Sequence, residues 1–278
     1  MNSWVGRDEG LEIRCTFYTH MLIFYFTNTG LCAQLLRLAK AEKYYDKIHL
    51  CTTHTMYGDL RRFIEFPERF SWIDEIPYGP FLHNINKDVD IYCPDWDYAG
   101  APSYQKNIDF VDNFGKLPEP TDDEYRKFCS ELKLKTTHSI SSQNYNCISV
   151  RLGLQPHFKT EKNIRKFFEH FPIDEEVFIM CDSARVVDDI PPGYKYFHII
   201  PEIQEGFSAG EGPGWKTYRQ FSQNERDLMT QKFINEIDIA SRSKIMVADF
   251  RNLSSLFVYF IHKHKCIELT VNEFLGGN

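Results

Sequence analysis

Residues 21–52 open with Met21-Leu-Ile-Phe-Tyr-Phe26, turn at Thr27-Asn28-Thr29-Gly30, and close on Lys47-Ile-His-Leu-Cys-Thr52. The first block is a continuous apolar run, the pattern of a strand buried on both faces of a parallel sheet. Between the two apolar blocks, Leu31, Leu35, Leu38 and Ala39 recur at i, i+4, i+7 and i+8, which predicts an amphipathic helix. A strand, a Gly-containing turn, a helix and a second strand make one β-α-β unit. Such a unit commits the chain to an α/β architecture.

The pattern returns in the second half. Asn146–Arg151, Glu176–Cys181, Tyr194–Ile200 and Lys244–Asp249 read as strands, and Lys265–Thr270 as a last short one. A helix is predicted over Glu161–His170, burying Ile164, Phe167 and Phe168. Ser222-Gln-Asn-Glu225 is a capping box opening another, with Leu228, Met229, Phe233 and Ile237 on one side. Leu253, Leu256, Phe257, Phe260 and Ile261 mark the last helix. Between the halves, residues 77–122 carry Pro77, Pro80, Pro94, Pro102, Pro118 and Pro120 without a sustained period, and read as long loops with short elements. Thr121–Lys133 looks helical, and the polar stretch Thr136–Asn144 is the candidate linker. The expectation is two Rossmann-like domains facing across a cleft, 1–140 and 141–278.

Composition narrows the function classes. With 278 residues, 42% hydrophobic and 26% charged, the chain is long enough for two cores and is neither disordered nor collagenous. A net charge of −7 leaves no basic footprint for nucleic acid. The start, Met1–Glu9, lacks the basic and apolar regions of a secretory signal, and Met21–Phe26 is far too short to span a membrane. Cytoplasmic residence is therefore expected. The eight cysteines contain no Cys-x-x-Cys pair. Neither His49-Cys51-His54 nor His262-His264-Cys266 has the spacing of a structural zinc site, so reduced core cysteines are expected and no metal.

Ligands of open α/β sheets bind beyond the carboxyl ends of strands, and four such positions carry suitable chemistry. Asn28 and Gly30 lie in a strand-to-helix turn whose backbone N–H groups can meet an anion, although a plain tight turn has the same appearance. The glycine spacing matches neither a dinucleotide fingerprint nor a P-loop. Arg151 ends a buried strand ahead of Gly153 and suits a diphosphate, or a structural ion pair. Asp182 follows the next strand and can accept from a sugar hydroxyl, serve as a base or cap a turn. Asn252, Ser254 and Ser255 open a helix after a strand, as an anion-binding turn or an ordinary cap.

At these motifs the sequence resembles the fucosyltransferase superfamily of the GT-B fold, which includes the α-1,6-, α-1,2- and protein O-fucosyltransferases and the bacterial nodulation enzyme. Gly30-Leu-Cys-Ala-Gln-Leu35 is similar to the family's Gly-Leu-Gly-Asn-Gln-Leu turn, and Ile148-Ser-Val-Arg-Leu-Gly153 to its His-x-Arg-x-Gly-Asp motif. Phe207-Ser-Ala-Gly210 through Ser255 resembles the α-1,6 enzymes' Ser-Ala-Gly, long helix, strand and Ser-rich turn. The likeness implies that Arg151 holds the donor phosphate, that Glu236 matches an acidic helix residue, and that Asn252 stands where a donor-contacting Ser is usual. Departures are equally plain: Ser149 replaces the family's His, Leu154 its Asp, Ala33 its turn Asn, and Leu152 a second Arg.

The resemblance implies an inverting, metal-independent glycosyltransferase with a nucleotide-sugar donor and a glycan acceptor. GDP-fucose is favoured, and another donor such as UDP-xylose stays open. Asp88-Val-Asp90 runs into a strand-like stretch and Asp95-Trp-Asp97 is a lone match, so neither reads as a metal-diphosphate loop. The general base is sought among Asp182, Glu161 and His157, and acceptor contacts in the aromatic middle (Tyr78, Phe81, Tyr92, Trp96, Tyr98, Tyr104). An alternative is a nucleotide-sugar or glycan-binding protein of the same fold that has lost catalysis, motivated by Ser149 and Leu154. A Rossmann oxidoreductase or methyltransferase is the third reading, disfavoured by the missing Gly-x-Gly-x-x-Gly.

Overall fold

The structure is a computed structural model, and it describes residues 21–26, 30–52, 57–74, 89–92, 114–138, 140, 144–150, 164–181, 184–199, 222–250 and 252–269. Strand β1 (Met21–Tyr25) runs into α1 (Leu31–Glu42) and β2 (Lys47–Cys51), as the opening unit predicts. Two small strands follow, β3 (Ile64–Glu65) and β4 (Phe70–Trp72), and then β5 (Val89–Tyr92), which includes Asp90. All three pairings of the first sheet are parallel, in the order β4-β2-β1-β5.

Helix α2 (Asp122–Glu131) begins at a complete capping box, Thr121 with Glu124, and runs into β6 (Lys133–Leu134), which forms a short antiparallel ribbon with β3. The second sheet comprises β7 (Tyr145–Val150), β8 (Glu176–Cys181), β9 (Lys195–Phe197), β10 (Ile245–Ala248) and β11 (Lys265–Glu268). It is parallel throughout, in the order β11-β10-β7-β8-β9. Its helices are α3 (Ile164–Phe168), α4 (Gln223–Ser241) and α5 (Leu253–Ile261). Both sheets start in the middle and grow first one way and then the other. This is the doubly wound order, with its reversal between β1 and β5 in one sheet and between β7 and β10 in the other.

The side chains of β7 alternate between two cores. Tyr145 and Cys147 face the core that runs through β8, β10, α4 and α5 to α1 and the first sheet, whereas Ile148 and Val150 face α3. The first of these clusters therefore passes across the 140/141 boundary without a break. Helix α5 packs on α1, α2 and α4, and this explains why α1 is buried almost all round rather than along one stripe. Lys40 of α1 is only 4% exposed and is paired with Glu119 at 2.6 Å and the Gly115 carbonyl at 3.2 Å.

Two sequence expectations need correction. Leu228 of α4 does not join Met229 and Ile237 inside but is 53% exposed. The buried side of α4 instead carries Asp227, Thr230 and Asn235, because α4 is wedged between sheet and loops and pairs with polar groups on both. Thr230 Oγ1 donates to the Tyr57 carbonyl, and Asp227 bonds Arg62. Asn235 accepts from the Thr137 N–H at 3.1 Å, so the expected linker is pinned where it begins. The strand expected over Tyr194–Ile200 is shorter, Lys195–Phe197, at the sheet edge. The sequence reading also passed over a 3₁₀ turn at Ala184–Asp189. Of the six described cysteines, five are buried. No described helix is long and apolar enough to cross a membrane.

Candidate functional site

The reversal between β7 and β10 is where a doubly wound sheet opens a crevice beyond its strand ends. Ser149 is the penultimate residue of β7, in register with Ala248 of β10 and Met180 of β8. Its hydroxyl lies 2.7 Å from that of Ser255, in the first turn of α5. Both are fully enclosed, at 1% and 0% exposure, among mainly apolar neighbours such as Ile148, Val150 and Phe257 in their own elements. Two mutually bonded hydroxyls satisfy each other there, so the pair costs little to bury and ties the end of β7 to the start of α5.

Helix α5 is capped by Asn252, whose side chain accepts from the Ser254 N–H at 3.1 Å. The Asn252 N–H in turn donates to the carbonyl of Asp249, a buried residue directly after β10. Of the two readings of this turn, the cap is what the structure displays for Asn252, while the half-buried Ser254 side chain remains at the mouth of the turn. Ser149, Asn252, Ser254 and Ser255 are thus brought together at one strand edge. Glu236, 2% exposed, lies on the buried side of α4. It is near Cys147, two residues back along β7, and burial foremost, then Cys266 and Glu236, pushes that thiol well up.

Gly30 belongs to the other sheet. It caps α1 with an ordinary negative φ of −53°, and a Cβ placed there would meet nothing within 4 Å. The turn therefore does not require glycine for its conformation. The N–H of Leu31, the first of α1, is taken by the Tyr57 hydroxyl at 2.8 Å. One of the amides that the sequence reading offered to a ligand is thus already used inside the protein. A glycine in this region that does need its conformation is Gly58, at φ +67°, where a Cβ would collide with Asp227 Oδ1. Tyr57, Gly58, Arg62, Asp227 and Thr230 form a junction between the loop after β2 and α4 that no sequence signal had marked. A left-handed glycine in an unremarkable Tyr-Gly-Asp stretch was its only trace.

Asn28, Arg151, Gly153, His157, Glu161 and Asp182 lie outside the described residues, as do Asp88, Asp95, Asp97 and the aromatic middle apart from the backbone of Tyr92. Of the Cys/His groupings, His262 uses both ring nitrogens. Nδ1 accepts from the His264 N–H at 3.1 Å, which leaves the proton on Nε2, 3.0 Å from Ser243 Oγ. A His so engaged neither ligates a metal nor activates that serine. Burial foremost holds its pKa below the ordinary value. Among the described residues no group of three or more His, Cys, Asp and Glu side chains is placed to hold a metal ion.

No protein-family profile and no curated protein matches this sequence. Solved structures match the fold. A crystal structure of the NodZ α-1,6-fucosyltransferase soaked with GDP-fucose superimposes with a TM-score of 0.57 at 13% identity, covering 93% of this chain and 97% of that one. NodZ co-crystallized with GDP gives 0.54 at 13% identity, over 90% of this chain and 95% of that one. The fucosyltransferase NodZ from Bradyrhizobium gives 0.53 at 12%, over 86% and 92%. The α/β fold of this chain is therefore similar to that of a fucosyltransferase over nearly the whole length of both.

Proposed function

We propose that this chain is a cytoplasmic glycosyltransferase of the GT-B type, transferring a sugar from a nucleoside-diphosphate donor to a glycan hydroxyl without a metal. The supporting observation is the end-to-end likeness to NodZ, structures of which contain GDP-fucose or GDP. It is joined by a second sheet whose reversal gathers hydroxyls and a helix start just ahead of Arg151. GDP-fucose is the favoured donor and another GDP- or UDP-sugar the alternative.

On this reading the two sheets belong to domains 1–140 and 141–278, the first serving the acceptor and the second the nucleotide. The acceptor oxygen attacks the anomeric carbon as the bond from that carbon to the β-phosphate oxygen breaks, inverting the centre. The hydroxyl proton passes to Asp182, Glu161 or His157. The charge left on the nucleoside diphosphate is met by the Arg151 guanidinium and by the first turn of α5 around Ser254. Asn28, Gly30, Gly153 and Glu236 complete the donor contacts in this proposal.

A second reading has a specific observation in its favour. Ser149, where the resembling family has His, is turned inward onto Ser255 and offers no acid-base group. A protein that binds a nucleotide sugar without transferring it would look the same here. Thermal shift with GDP, UDP, dTDP, CMP, NAD and adenosyl-methionine, on wild type and Arg151→Ala, separates the readings when followed by donor-hydrolysis and transfer assays. The expected result is stabilisation by GDP or UDP, roughly 2.7 kcal/mol at a hundredfold excess over Kd, that is lost in Arg151→Ala together with turnover. Binding without hydrolysis or transfer selects the second reading. Stabilisation by NAD or adenosyl-methionine alone overturns both.

A further inference from the structure

Helices α4 and α5 end together where β10 and β11 begin, at the other end of the strands from the crevice, with Ser243 Oγ 3.0 Å from His262 Nε2. There, with the last turn of α2 and Leu134 of β6, they line an open pocket of about 490 Å³, within the range of small-molecule sites. Its apolar lining includes Leu132, Leu134 and Ile261, with the buried Phe257 of the core beneath. The rim carries Asp238, Arg242, Lys263 and His264.

The charges on that rim do not cancel. Asp238 is answered by Arg242 one turn on, which makes that pair neutral. Lys263 makes no hydrogen bond or ion pair among the described residues, and the His264 ring meets only the ring of His262, edge-on at 5.8 Å. Helix carboxyl ends would ordinarily draw a cation to such a place, but here they are already served. Arg126 donates to the carbonyls of Tyr259 and His262, and Ser241 Oγ and Arg242 Nε to that of Asp238. What is left is one positive charge at the edge of an apolar lining.

We propose that this pocket is a second ligand site, distinct from the strand-end crevice, for a small amphipathic anion: an aromatic or aliphatic body on the apolar lining and a phosphate or carboxylate head against Lys263 and His264. Its place on the fold separates it from the nucleotide site, so it stands whether or not the chain is a transferase. The test is fluorescence titration of the full chain with 1-naphthyl phosphate, compared with inorganic phosphate and with 1-naphthylmethylamine. Saturable binding of the naphthyl phosphate alone is expected, at least tenfold weaker in Lys263→Glu and unchanged in Arg151→Ala. Lys263 is exposed, so the variant keeps its fold, and an unaltered Tm verifies that. No binding at millimolar probe, equal binding by Lys263→Glu, equal binding of the amine or of bare phosphate, or loss in Arg151→Ala each overturn the proposal. The last would mean that the probe occupies the diphosphate site instead.

Discussion

The two sheets have the same doubly wound order, yet the helices that start at their reversals are finished differently. Helix α1 begins at a glycine with no side-chain cap, and its first amide is closed by the Tyr57 hydroxyl from a neighbouring loop. Helix α5 begins at a capping Asn252, and its first turn is tied to β7 through Ser149 and Ser255. The first start is secured from outside by a loop that also grips α4, and the second from within by its own strand. Topology alone places a crevice at both reversals, and at the second, among the described residues, a bonded pair of hydroxyls closes the strand end onto the helix.

The strongest way to break this contrast is to remove the packing that joins its two sides. Phe257 of α5 is fully buried in the cluster reaching from the second sheet to α1, so Phe257→Ala should cost about 3–5 kcal/mol. Urea unfolding followed separately by probes in each half should show both halves losing stability together. If only the second half shifted, the shared core would not be acting as one.

Next come the glycines. Gly58→Ala must adopt φ +67° and displace Asp227, which Arg62 holds, at a cost of roughly 1–3 kcal/mol. Gly30→Ala enters open space at a negative φ and should be neutral or slightly stabilising. Equal losses at the two positions, read from urea midpoints, would refute the assignment of the constrained turn to Gly58.

The serine pair sharpens the comparison on the other side. Ser149→Ala leaves the buried Ser255 hydroxyl without this partner, at about 1–3 kcal/mol. The double alanine variant should lose clearly less than the sum of the singles, because neither hydroxyl is then left alone. Strict additivity in a double-mutant cycle would dismiss the tie.

The smallest effect is one of pH. His262 is held neutral by burial, with its folded pKa below the unfolded value of about 6.5. As pH falls, the unfolded chain takes up that proton first, so this contribution is complete above about 6.5 and lost below it. Wild type should lose stability between pH 7 and 5 more steeply than His262→Asn. Parallel curves would remove His262 from the account.

Most of this fold could be read from the sequence where burial is uniform. The strands at Met21–Tyr25, Lys47–Cys51, Tyr145–Val150 and Glu176–Cys181 are unbroken apolar runs, and both capping boxes involve residues three apart. What escaped depends on distant partners. Periodicity counts apolar residues and so points Leu228 inward, while α4 buries Asp227 and Asn235 against groups that lie far away in the chain. Strands of two or three residues such as β3 and β6 are too short to show any period. For the site, Ser149 stood out only as a departure from a motif, since its partner is 106 positions further on. The Asn252 cap was half-read, a side chain two residues before the amide it accepts from. Arg151 and the candidate bases lie outside the described residues and rest on the resemblance in sequence.

The cover that α5 provides for α1 has a consequence for how the protein is made. Helix α1 leaves the ribosome with nearly all of its surface destined for burial, and the helix that shields it is encoded far downstream. At ordinary rates of synthesis the interval from Glu42 to Leu253 lasts roughly 10–40 s. Through that interval the nascent N-terminal sheet displays a bare hydrophobic flank, which makes it a natural client for a chaperone that acts during translation.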